Sequence, residues 1–126
     1  MEWREEEVLK LRSEEYLEEA IRLTTKEKYD LAMSALHLHC ELRIKSIILR
    51  KGIPYPKTHS LKELIRIFEK FDDKAGILLS NQDYLLRISR IEDGYMGSRY
   101  FPIRYNRDDV APLLEFIQVA YDRYIN

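Results

Sequence analysis

The first fifty residues contain neither glycine nor proline, while all four glycines (52, 76, 94, 97) and all four prolines (54, 56, 102, 112) lie beyond them. A stretch that long without a backbone breaker has little choice but to form long helices. Apolar residues support this at helical spacing. Val8, Leu11, Tyr16, Leu17, Ala20, Ile21 and Leu23 recur at mostly three- and four-residue steps between acidic residues, predicting a first helix that ends near Thr24 to Lys28. Tyr29, Ala32, Met33, Leu36, Cys40, Ile44, Ile47 and Ile48 hold one face for about five turns, predicting a second over 29–51 that Gly52 and the Pro54/Pro56 pair stop.

Beyond Gly52 the pattern stays helical but is more often interrupted. Ser60-Leu61-Lys62-Glu63 has the form of a capping box, in which the serine hydroxyl accepts from the backbone and the glutamate reaches back. Leu61, Leu64, Ile65 and Phe68 supply that helix with an apolar stripe. Asp72 or Asp73 is placed to cap a fourth helix carrying Ile77, Leu78, Tyr84, Leu85, Ile88 and Ile91, with interruptions at Gly76 and Ser80-Asn81. Residues 92–107, rich in Gly, Tyr and Arg, read as a long loop. Asp109 then caps a last helix whose first turn tolerates Pro112 and whose core face is Leu113, Leu114, Ile117, Ala120 and Tyr121. No strand, repeat or low-complexity segment competes. The expectation is an all-α, up-and-down bundle of four or five helices forming a single domain over residues 1–126.

Charge and cysteine usage narrow the function classes. Lys and Arg number 21 and Asp and Glu 22, so the net charge is −1 and any nucleic acid must be held by a local patch rather than a whole-molecule field. One cysteine, Cys40, excludes an intramolecular disulfide and suits a reducing compartment, and no apolar run approaches the roughly 18 residues of a membrane span. The start, MEWREEEVLKLRSEE, is acidic and has no apolar signal core, so the expected location is the cytoplasm. With 34% charged residues and only 3 Asn and 2 Gln, the composition also fits a protein from a hot environment, an expectation that a melting midpoint in the mesophile range would overturn.

Three constellations could carry chemistry. His37, Cys40 and Glu41 lie within one helical turn and so invite a metal reading, but His37 and His39 point to opposite sides at about 100° per residue, and further ligands would have to come from other helices. A packed Cys40 between polar histidines accounts for the same residues, and no metal is assigned. His37, Glu41 and Lys45 stand at four-residue steps on one stripe, which reads either as an ordinary helical ion pair or as the polar lining of a groove or dimer seam. The segment Tyr95-Met96-Gly97-Ser98-Arg99-Tyr100-Phe101-Pro102-Ile103-Arg104-Tyr105 combines guanidinium forks with aromatic faces, the chemistry for gripping phosphate while stacking a base. The same residues could instead pin the loop, with rings buried and arginines paired to Glu92 and Asp93. No Gly-rich phosphate loop, nucleophile triad or spaced carboxylate pair is present in the sequence.

Four segments together resemble a known family. Lys28-Tyr29-Asp30-Leu31-Ala32, Cys40-Glu41-Leu42-Arg43-Ile44-Lys45, Thr58-His59-Ser60-Leu61 followed by Leu64, and Ser98-Arg99-Tyr100 before Pro102 are similar in order and spacing to the motifs of the HEPN family (higher eukaryotes and prokaryotes nucleotide-binding). The likeness spans about residues 12–122. It implies a four- or five-helix bundle that commonly dimerises. It also implies one of several activities, because family members include metal-independent ribonucleases, nucleotide binders and partners of minimal nucleotidyltransferases. The ribonuclease branch uses an Arg followed four to six residues later by a His; here no His follows any Arg at that spacing, and Phe101 separates Arg99-Tyr100 from Pro102.

The leading expectation is therefore a non-catalytic HEPN module, a homodimer without a cofactor. Its groove of Glu41, Lys45, His59, Arg99 and Tyr100 would bind a nucleotide, an RNA end or a nucleotidyltransferase partner in a toxin–antitoxin-like pair. Two alternatives stand beside it. One is a ribonuclease with a divergent site in which His59 and Arg99 meet across the dimer, His59 moving the proton that 2′-OH attack requires. The other is a purely structural interaction protein.

Overall fold

The computed structural model describes residues 2–54 and 56–126, and among them the secondary structure is helical throughout. The first helix, α1, spans Glu5–Thr25 and the second, α2, Tyr29–Arg50. Three residues join them, so the two run antiparallel and pack along their length. Both end in the same way: Lys28 N–H bonds back to Leu23 C=O (2.8 Å) around Glu27, and Ile53 N–H to Ile48 C=O (3.3 Å) around Gly52. Each turn needs a left-handed residue, φ 81° at Gly52 and φ 60° at Glu27.

The buried edge of α1 differs from expectation. Leu9, Ser13, Ala20 and Leu23 are buried and Tyr16 half-buried, a four–three–four–three ladder, whereas Leu11 and Ile21 lie outside it and are exposed. Ser13 belongs inside because its hydroxyl donates to the His39 carbonyl (2.9 Å) and its own carbonyl lies 2.8 Å from His39 Nδ1. The α2 helix is the central element. Its expected apolar face is buried apart from the half-buried Tyr29, and so are His37, His39, Glu41 and Lys45.

The chain then forms α3 (Leu61–Glu69), a 3₁₀ turn (Asp73–Gly76), the one-turn α4 (Ile77–Ser80) and α5 (Gln82–Tyr100). Ser60 accepts from Glu63 N–H as expected, but the Glu63 carboxylate takes the Thr58 hydroxyl (2.9 Å) instead of reaching the Ser60 backbone. Asn81, not Asp72 or Asp73, caps α5 through its side chain. The expected loop over 92–107 is a second correction. Residues up to Tyr100 continue α5, and only 101–106 connect it to α6 (Arg107–Phe116). The glycines do not break this helix because it needs their small size. A Cβ on Gly94 would meet Met33 and one on Gly97 would meet the Tyr105 hydroxyl.

Asn106, rather than Asp109, caps α6; Asp109 completes a capping box by accepting from Asn106 N–H (2.8 Å). A π-helical turn, Ile117–Tyr121, and a last turn, Asp122–Tyr124 (α7), follow. They are tied to α2 by polar bonds: Tyr121 Oη to the Cys40 carbonyl (2.7 Å), His39 Nε2 to Asp122 (2.8 Å), and the Arg43 guanidinium to the Ile125 and Asp122 carbonyls (2.6 and 2.8 Å). Buried apolar residues from α1 to the C-terminal turn form one contiguous core, giving the expected all-α bundle. Among the described residues no helix is long and apolar enough to cross a membrane.

Candidate functional site

The site forms where α2, the start of α3 and the C-terminal half of α5 converge. Its framework is a cap supplied from a distance: Glu92 on α5 accepts the Leu61 N–H (2.9 Å) that begins α3, and its other oxygen lies 3.6 Å from Lys62 Nζ. This bond fixes where the 58–60 segment enters and hence where His59 stands. Glu92, Tyr95, Met96 and Tyr100 then succeed one another on one side of α5. Together with His37 and His59 they line an open cleft of about 450 Å³, within the size range of small-ligand sites.

Behind the cleft lies the α2 polar stripe. Glu41 is buried and accepts from Lys45 Nζ (2.8 Å), itself buried, and from His59 Nδ1 (3.0 Å), whose side chain is 76% exposed. Burial alone would raise the Glu41 carboxyl, but the hydrogen bonds from Lys45 and His59 outweigh it and hold the group below its usual range. The His59 ring, which lines the cleft, is thus oriented through Nδ1 by a buried carboxylate.

His37 is the second histidine of the site. Burial drives its pKa from 6.5 down to about 4, against the opposing pull of the Glu41 carboxylate, so the ring is neutral near pH 7. Its Nδ1 is buried without a hydrogen-bond partner, 3.6 Å from Glu41 Oε1, too far for a bond. Its face stacks on Tyr95 with ring centroids 4.1 Å apart and an interplanar angle of 21°. On Tyr95 in turn rests Arg99: Nη1 donates to the Tyr95 hydroxyl (2.6 Å) and the guanidinium carbon lies 4.7 Å from the ring centroid and 5.8 Å from that of Tyr100.

The structure therefore joins the expected residues in two layers. Glu41 and Lys45 are internal and hold His59; Arg99 and the exposed Tyr100 stand at the outer edge of α5, linked to the interior through Tyr95 and His37. Arg99 is paired with an aromatic hydroxyl, not with Glu92 or Asp93, and Arg104 is held by Asp30 (2.7 Å). The sequence reading had Tyr95 and Met96 in a loop that could stack a base or pin itself to the bundle, Glu92 as a partner for its arginines, and His37 in a metal constellation and on the polar stripe; it did not join these four in one wall. Positions 92, 95, 96, 99 and 100 have helical spacing, so the signal was present; it was hidden by taking Gly94 and Gly97 as breakers. Cys40 is wholly buried, and burial pushes its thiol well above its ordinary range, leaving it a packing residue. Among the described residues no group of three or more His, Cys, Asp or Glu side chains is arranged to hold a metal ion.

Comparison with curated proteins and with solved structures gives no match. A family model, that of the HEPN domain, matches residues 6–123. That span covers α1 to α7 almost end to end, including every residue of the cleft and the stripe behind it, and with the helical bundle it shows that the chain belongs to the HEPN domain family.

Proposed function

We propose that the protein is a non-catalytic HEPN module whose cleft between α2, α3 and α5 binds a nucleotide or an RNA end. The observation that carries this reading is the α5 side of the cleft, where the exposed ring of Tyr100 lines the wall and the guanidinium of Arg99, held over the wall residue Tyr95, puts a phosphate fork beside that stacking face. Family membership supports the further elements of the reading: a homodimer in the cytoplasm, paired with a minimal nucleotidyltransferase in a toxin–antitoxin-like arrangement. A ligand that prefers the native state raises the melting temperature by mass action, so millimolar mononucleotide is expected to raise it for the wild type and not for Tyr95→Ala; no shift in the wild type would overturn the reading. Purification from native cells tests the partner, which is expected to remain bound after nuclease treatment.

One observation favours a second reading, a metal-independent ribonuclease. The Glu41 carboxylate on His59 Nδ1 is the arrangement that orients an imidazole to take a proton at Nε2. This reading predicts cleavage of single-stranded RNA without added metal, abolished by His59→Ala and by Arg99→Ala. Cleavage that persists in either variant would point to contamination.

A further inference from the structure

The solvent side of α3 carries a feature that fold stability does not explain. Leu61, Leu64, Ile65 and Phe68 bury one side of the helix, and on another Lys62, Arg66 and Lys70 follow one another at four-residue steps. Lys70 still has helical backbone angles (φ −65°, ψ −25°), so the three form one ladder with a rise of about 6 Å per rung. Like charges at this spacing repel, which costs a helix a few tenths of a kcal/mol per pair. Glu92 at 3.6 Å offsets the first rung, Lys62, whereas Arg66 and Lys70 are exposed and make no ion pair among the described residues.

The ladder belongs to a wider asymmetry. Residues 2–19 hold eight acidic side chains against three basic, whereas residues 43–74 hold nine basic against four acidic; Lys45 is buried on Glu41 and Arg43 is tied to the C-terminal turn, which leaves seven basic residues in that stretch against the four acids. The ladder's position matters as much as its sign. Lys62 touches Glu92, which lines the cleft, and His59 precedes the helix by two residues, so the ladder starts at the cleft and leads away from it.

We propose that α3 is a phosphate track for single-stranded RNA, one nucleotide entering the cleft while the adjoining backbone runs past Lys62, Arg66 and Lys70. The proposal deepens the nucleotide reading of the cleft and rests on it for the placement of the strand's end. A polynucleotide is favoured over an acidic polypeptide because the cations are evenly repeated along one line and continue from a wall of stackable rings. RNA is favoured over DNA because Glu92 offers an acceptor at the cleft wall that a 2′-hydroxyl can donate to and a deoxyribose cannot.

The test is fluorescence anisotropy with a labelled single-stranded RNA decamer, titrated over a series of salt concentrations with wild type and with the double variant Arg66→Glu/Lys70→Glu. Both positions are exposed, and circular dichroism checks that the variant keeps its helix content and melting temperature. The expected result is an affinity for RNA at least about tenfold lower and a log–log salt slope smaller by about 1.4, the value for two fewer phosphates neutralised on a single strand. The melting shift given by mononucleotides should stay as in the wild type. Unchanged RNA affinity in the double variant would overturn the track. A deoxy-decamer bound as tightly as the RNA would overturn the assignment to RNA, and polyglutamate competing on equal terms with RNA would overturn it in favour of a protein partner. Failure of the cleft reading gives a different pattern: no mononucleotide shift in any variant, while RNA binding still depends on Arg66 and Lys70.

Discussion

At the scale of single residues, Glu41 is the position on which the site depends. One buried carboxylate accepts from Lys45 and from His59 and lies beside His37, so its charge sets the environment of three other groups. Replacing it with an isosteric amide keeps the volume and removes the charge that offsets the buried ammonium. Glu41→Gln is expected to destabilise the fold by about 3 kcal/mol, the scale for breaking a buried pair from one side, and urea unfolding checks it. The same four-residue spacing on an exposed helix would be worth only a few tenths of a kcal/mol. The spacing of Glu41 and Lys45 was plain in the sequence; their burial was not, because a stripe at i and i+4 looks the same whether it faces water or another helix.

At the scale of elements, the two long helices end in identical backbone motifs with unequal residues. Gly52 adopts its positive φ at no steric cost, whereas Glu27 at φ 60° crowds its Cβ against the backbone. Glu27→Gly is expected to stabilise the protein by about 0.5 to 1 kcal/mol, the relief of strain exceeding the added freedom of the unfolded chain, as a shift in urea midpoint will register. The α5 helix gives a contrasting pair. A methyl at Gly94 meets the flexible end of Met33, which can swing aside while alanine improves helix propensity by about 1 kcal/mol; Gly94→Ala is expected to be near neutral. A methyl at Gly97 would run into the Tyr105 hydroxyl oxygen and lie 3.2 Å from ring carbon Cζ, and the rigid ring cannot yield without moving the 101–106 connection. Gly97→Ala is expected to cost about 1 to 3 kcal/mol, and comparing the melting temperatures of the two variants separates the mechanisms. These contacts also explain why the end of α5 was misread. Glycine in a sequence signals a break, and only the neighbouring helix shows that it serves close approach.

At the scale of the whole molecule, acid stability reports on the interior of the site. His37 is neutral in the fold, with a pKa of about 4 against 6.5 in the unfolded chain. Between these values the unfolded state binds more protons, so stability is fully present above pH 6.5 and falls as the pH drops towards 4. The total is about 3 kcal/mol at most. Glu41, whose carboxyl is held below its ordinary range, acts in the same sense at lower pH: its contribution is present above the unfolded value of 4.5 and is lost as the pH falls through its folded value. The urea midpoint is expected to drop from pH 7 to pH 4.5, and to drop less in His37→Phe, which keeps a stacking ring on Tyr95 but has no proton to take up.

The helical class, the extent of α1 and α2, the stop at Gly52 and the family motifs were set by the sequence alone, because breaker placement and apolar periodicity act over a few residues and survive without knowledge of the partner surface. Which polar residues are interior, which glycines are contacts and which histidine faces which helix were decided by the tertiary structure. His37 and His39 differ by two positions, yet one turns to Tyr95 and the other to Ser13 and Asp122, pairings 58, 26 and 83 residues apart in the chain. Local sequence places a side chain on a side of a helix. Only packing decides what occupies that side, and with it the dielectric, the hydrogen-bond partners and the protonation state that give the residue its chemistry.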